Sequence, residues 1–132
     1  TLSERYSQQP FFFEHGPVSD RKRGGSCVDH AHLHALPINM VEPPSWLSKN
    51  LVGGKINDID TVITYAKSGK PYFYIDFSDG TMYMYDAVAI PCQFGRQMVT
   101  HQLGLLDQWD WRKHPQKERM LKTSCQLREC IK

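Results

Sequence analysis

Nothing in this sequence is long, apolar and uninterrupted. No run approaches the roughly 20 residues that a membrane-crossing helix needs. The opening residues, TLSERYSQQP, lack the layout of a secretory leader. Charge of one sign is also scarce. The formal net charge is +2 with histidines neutral, too small to argue for nucleic acid or a membrane surface by electrostatics alone. Cysteine is sparse: Cys27, Cys92, Cys125 and Cys130 form no Cys-x-x-Cys pair. A zinc ribbon is therefore unsupported, and the chain reads as a free-thiol protein of a reducing, cytoplasmic compartment. Internal repeats and low-complexity tracts are absent.

What remains is the profile of one globular domain spanning residues 1–132, with 40% hydrophobic and 23% charged residues. LSERYSQQ reads as the end of a helix. Phe11-Phe12-Phe13-Glu14 reads as a buried strand stopped by Gly16-Pro17. A basic loop with Arg21, Lys22 and Arg23 follows, in reach of an acidic substrate or simply solvated. Cys27 to Leu36 is a strand ended by Pro37. Trp46 to Val52 suggests a short helix stopped by Gly53-Gly54. Asn57 to Ala66 carries apolar residues at 59, 62, 63 and 66, a helical spacing with Asn57 or Asp58 as cap. Pro71 to Phe77 and Thr81 to Tyr85 flank Ser78-Asp79-Gly80, which predicts an antiparallel hairpin. Both of its faces are apolar, which predicts a sandwiched position. Gln93 to Leu103 predicts a helix with Phe94, Met98 and Val99 inward. The expected class is α+β: an antiparallel sheet with flanking helices. The region 11–37 carries the chemistry, and 57–132 forms a C-terminal hairpin and helical extension.

The stretch CVDHAHLHALP (27–37) holds three of the six histidines, at alternate positions 30, 32 and 34. In a strand, alternate side chains share a face. The imidazoles then form a row about 7 Å apart at ~3.3 Å per residue. Ala31, Leu33 and Ala35 point to the other face, where they are expected to enter a core. In a helix, successive histidines would sit about 200° apart and not converge.

Such a row has two chemical uses. Alternate histidines can ligate Zn²⁺ with a further residue completing the shell, although Cys27 and Asp29 point to the opposite face of a regular strand. Alternatively, a neutral imidazole attacks phosphorus while its neighbours donate to the oxygens. An unperturbed histidine pKa near 6.5 suits either role at neutral pH. The bend Gly24-Gly25-Ser26-Cys27 places backbone N–H groups where an anion can meet them.

His30-Ala31-His32-Leu33-His34-Ala35-Leu36 resembles the histidine-triad (HIT) signature, His-φ-His-φ-His-φ-φ with φ apolar, at all seven positions. The lead-in from Phe11 through Gly25 is similar too, and QFGRQ and WDWR resemble the tails of some bacterial relatives. The resemblance implies a partial HIT-like fold and a nucleotidyl-phosphate hydrolase or transferase that needs no cofactor. Its substrates would be dinucleoside polyphosphates or nucleoside phosphoramidates. His32 would form a covalent nucleotidyl intermediate, His30 would orient His32, and His34 would donate to a phosphate oxygen. Gly25, Ser26 and Cys27 would line the phosphate site, with Glu14 near it. His34, where the uridylyltransferase branch has Gln, favours hydrolysis over sugar-nucleotide transfer. HIT domains often pair, so the resemblance leaves room for a homodimer without fixing the oligomeric state.

Two features depart from the family pattern. Cys27 stands where relatives commonly carry a hydroxyl residue, and a thiol is a weaker donor. Only ten residues precede Phe11, so the half that forms the base and ribose pocket is expected to be missing, shortened or supplied by another chain. Two other readings stand beside the enzyme: a metal-binding protein using the same imidazoles, and a non-catalytic nucleotide-binding module.

The remaining candidates carry less. His15, one residue before Gly16, is set aside as an outlying fourth histidine. Gln93 and Arg96 lie three apart on one helix, in position for a phosphate or, more ordinarily, a surface ion pair. Trp46, Trp109 and Trp111 can stack on a base or simply pack. Asp76 and Asp86 flank the hairpin, where acidic residues are usual.

Overall fold

The turn at Asp79-Gly80 organises the sheet. Asp79 Oδ1 accepts the Thr81 N–H at 2.8 Å, and Gly80 takes φ 81°, a left-handed value that glycine adopts without strain. The strands on either side, β4 (Tyr72–Asp76) and β5 (Met82–Asp86), pair antiparallel with Tyr74 opposite Met84. The computed structural model describes residues 1–17, 30–40, 45, 49 and 51–129. Within it, β1 (Phe11–Gly16), β2 (His32–Leu36) and β3 (Gly53–Ile56) complete a five-stranded sheet of order β2-β1-β4-β5-β3. Every pairing is antiparallel.

Four helices are described in full: α1 (Leu2–Tyr6), α2 (Asp60–Lys67), α3 (Phe94–Gln102) and α4 (Lys117–Glu129). The class is α+β, as the sequence predicts. α1 is a short helix, matching the helical reading of LSERYSQQ. The Thr1 side chain takes the Glu4 N–H, and Ser7 closes the helix in a left-handed conformation.

Alternation along β1 divides the core in two. Phe11, Phe13 and His15 face α3, together with Phe73, Ile75, Phe77 and Tyr85, and meet Phe94, Met98 and Val99. Phe11, Phe73 and Ile75 are fully buried there, each worth roughly 1.5–3 kcal/mol of apolar burial. On the other face Tyr72 and Tyr74 pack against Val62, with Tyr65, Ala66, Met82 and Met84 around them. The hairpin is thus covered on both faces, as its composition predicts. Phenols meet the carboxylates on this second face: Tyr65 donates to Asp86 at 2.8 Å, and Tyr72 donates to Glu14. Burial and the Asp86 carboxylate push the Tyr65 phenol up to about 12.

Several expectations are corrected. Gly53-Gly54 does not stop a helix but opens edge strand β3. Ser45 and Lys49 are helical, while the rest of 46–50 lies outside the described residues. α2 starts at Asp60, with Asp58 Oδ1 taking the Thr61 N–H at 2.9 Å. Only Val62 of its apolar residues is buried, and Ile59 and Ile63 are exposed. α4 falls in the expected helical extension, without bounds predicted for it, and none of its residues is buried.

The reading of free thiols holds for Cys125 and is corrected at Cys92. Cys92 is disulfide-bonded, whereas Cys125 is a free, exposed thiol. Spacing alone does not fix cysteine pairing. No helix among the described residues is long and apolar enough to cross a membrane.

Candidate functional site

The imidazoles are set by an edge strand. β2 begins at His32, and His30 lies in the bend just before it. Its pairing with β1 puts His34 opposite Phe13 and His32 opposite His15. Residues opposite one another share a face, so His32 and His34 lie on the α3 side of the sheet. Both are half-buried, and His30 is exposed. The expectation for Leu33 and Ala35 is corrected, because both are exposed, Leu33 by 55%. At the sheet's edge, α2 covers β4 and β5 rather than β2, and the core lies on the imidazole side.

The three rings nevertheless form one cluster. Centroids of His30 and His32 are 5.6 Å apart, and those of His32 and His34 are 4.6 Å apart. His32 Nδ1 lies 3.3 Å from the backbone oxygen of His30. A carbonyl only accepts, so this contact is a hydrogen bond only with Nδ1 as donor, and in the neutral tautomer that makes it Nε2 carries the lone pair. His34 stacks on Phe13 with centroids 4.4 Å apart. Burial first, then His32, then Arg96 lower its pKa to about 4. At neutral pH the ring is uncharged and keeps one N–H.

The alternation that sets these rings also moves Glu14 away from them. Glu14 pairs opposite Leu33, on the far face, where it accepts the Tyr72 hydroxyl. The structure therefore separates Glu14 from the imidazoles. Gly25, Ser26, Cys27 and the basic residues 21–23 lie outside the described residues, as does Trp46.

His15, set aside on sequence, stands beside the cluster. It is 4% exposed, with its ring 6.5 Å from that of His34. Its Nε2 accepts the Gly95 N–H at 3.3 Å. Gly95 allows this approach, since a Cβ there would fall 2.2 Å from the Phe13 ring. The signal for His15 was available: it follows Phe11 and Phe13 at strand spacing, on the core face.

Among the described residues Gln93 and Arg96 make no surface ion pair. Gln93 is buried, with left-handed φ 63°, and its side chain takes the Trp111 N–H at 3.1 Å and donates to Asp110 at 3.4 Å. Arg96 Nε donates to the Trp109 carbonyl at 2.8 Å. The Trp109–Arg112 segment is thereby tied to α3. Trp111 is 45% exposed, with the Arg112 guanidinium 5.2 Å from its ring centre.

Comparison with protein-family models, with curated proteins and with solved structures finds no match.

Among the described residues no group of three or more His, Cys, Asp or Glu side chains is placed to hold a metal ion. Asp86 is engaged by Tyr65 and by the Val88 N–H at 2.8 Å.

Proposed function

We propose that the chain is a histidine-triad-type nucleotidyl hydrolase or transferase working through His32. One observation carries this reading: the His32 Nδ1 contact with the His30 carbonyl, which leaves Nε2 as the nucleophilic nitrogen. In the proposed reaction the Nε2 lone pair attacks the α-phosphorus of a nucleotide substrate. The bond from phosphorus to the leaving group breaks, and the leaving group departs with that electron pair and takes up a proton. Water or an acceptor hydroxyl then attacks phosphorus, the P–N bond to His32 breaks, and the attacking oxygen releases its proton. His34, uncharged at neutral pH, supplies an N–H to a phosphoryl oxygen. His30 acts through its backbone carbonyl, as an orienting group. Gly25, Ser26 and Cys27 remain the proposed backbone cradle for the phosphate.

A cytoplasmic location loses its original support, because it rested on free thiols and Cys92 is disulfide-bonded. The HIT-like assignment rests on the seven-position motif and on this ring cluster.

The test is release of nucleoside monophosphate from adenosine phosphoramidate and from diadenosine polyphosphates. Turnover that His32→Ala abolishes supports the reading. Absence of turnover on both substrates, with the protein folded and bound nucleotide detectable, favours the non-catalytic module.

A further inference from the structure

On the α3 side of His34 a groove of about 340 Å³ opens between sheet and helix. Phe13, His34 and Leu36 form one wall, and Arg96, Val99 and Thr100 form the other. The walls are mostly apolar, with His34 as the polar side chain of one and Arg96 and Thr100 as those of the other. The Thr100 hydroxyl is turned back onto its own helix, 2.8 Å from the Arg96 carbonyl and 3.2 Å from that of Gln97. His34 and Arg96 are then the side chains with donors for a ligand.

Arg96 is unusually placed for a half-buried cation. Among the described residues no carboxylate lies in ion-pair range of it. Its Nε is fixed by the Trp109 carbonyl at 2.8 Å, and Gln93 in turn holds Asp110 and Trp111. The guanidinium is therefore anchored through Nε, which leaves its terminal N–H groups for other acceptors, and the Arg96 side chain lines the groove. A planar guanidinium held in this way matches a phosphate-type oxyanion better than it matches solvent. Ligand pockets typically measure about 300–1,000 Å³. At the low end of that range, the groove suits one to a few phosphate groups rather than a whole nucleotide.

We propose that this groove is an anion subsite for a phosphate-chain oxyanion, with Arg96 as its charged group and His34 as its second donor. Because the His34 ring lines the groove and lies 4.6 Å from that of His32 between centroids, an anion in the groove is one ring away from the proposed nucleophile. Under the function proposed above, on which this role depends, the anion is the phosphorylated leaving group. The subsite then favours substrates that release a phosphate chain over those that release an amine.

The binding is tested without turnover, in the full chain carrying His32→Ala, with inorganic tripolyphosphate as the probe. Titration followed by NMR is expected to show saturable shifts centred on the Arg96 Nε–H and the His34 ring. In the same background Arg96→Gln is expected to weaken binding about tenfold or more, and Arg96→Lys to weaken it by less, since lysine keeps the charge but not the fork. The shift map needs no Arg96 variant, so it decides the matter even if Arg96→Gln fails to fold. No saturable shifts, shifts centred elsewhere, or unchanged binding in a folded Arg96→Gln protein would overturn the subsite. Groove binding in a protein whose wild type turns over no nucleotide would keep the subsite and remove the catalytic reading. Turnover through His32 without groove binding would do the reverse.

Discussion

The imidazole of His34 lies nearly flat on the ring of Phe13, with planes 16° apart. Phe13 in turn meets Phe11 and Phe73, each at 6.0 Å between centroids. The candidate site is therefore built directly on the main core. Phe13→Ala should cost about 3–5 kcal/mol and Phe13→Leu noticeably less. Both should let water reach His34 and raise its pKa toward the ordinary value. Denaturant unfolding and an NMR titration of the His34 ring check the two effects. An unchanged His34 pKa would mean that Phe13 does not shield it.

Acid should weaken the fold through His34. Its folded pKa of about 4 lies below the 6.5 of a free imidazole. In the interval the unfolded chain binds the proton and the folded chain does not, so stability falls as pH drops through that window. The opposing groups are His32 on β2 and Arg96 on α3, with the His15 ring alongside on β1. His34→Gln should flatten the dependence. Urea midpoints between about pH 7 and about pH 4 measure it, and an equally steep loss in the variant would assign the effect elsewhere.

Gly95 should resist substitution far more than Gly54. A Cβ at Gly95 would meet the Phe13 ring, whereas nothing lies within 4 Å of one at Gly54. Gly95→Ala should cost about 1–3 kcal/mol by overpacking and lengthen the contact to His15. Gly54→Ala should stay within roughly 0.5 kcal/mol of wild type. Thermal melts of the pair make the comparison.

Gln93→Asn isolates the tie between α3 and the tryptophan segment, because asparagine tolerates left-handed backbone. The shorter side chain should lose the contacts to Trp111 and Asp110, costing about 1–3 kcal/mol. Tryptophan emission should shift to the red. Unchanged emission and stability would show that the 109–112 segment is held by other contacts.

Parts of this structure were readable in the sequence because they depend on local rules. Asp79-Gly80 fixed the hairpin, and 3.6-residue spacing placed Phe94, Met98 and Val99 inward. Period-two spacing put His32 and His34 on one face. What escaped depends on long-range packing. Which face of β2 meets the core follows from its place at the sheet's edge, so Leu33 came out exposed and His34 half-buried. Arg96 and Trp109 are brought together by the turn after α3, which no spacing rule predicts. The Cys92 disulfide was hidden for the same reason. Glu14 and His15 were legible in principle. Counting by twos from Phe11 and Phe13 sends His15 toward the core and Glu14 to the other face.

The central claim is that His32 is the nucleophile, and trapping tests it most directly. The protein is mixed with a diadenosine polyphosphate or adenosine phosphoramidate, quenched within the first turnover and mapped by peptide mass spectrometry. The expected result is a nucleotidyl adduct on His32, with His32→Ala losing the adduct and about 10³-fold or more of the turnover. An adduct on another residue, or turnover that survives His32→Ala, would contradict it.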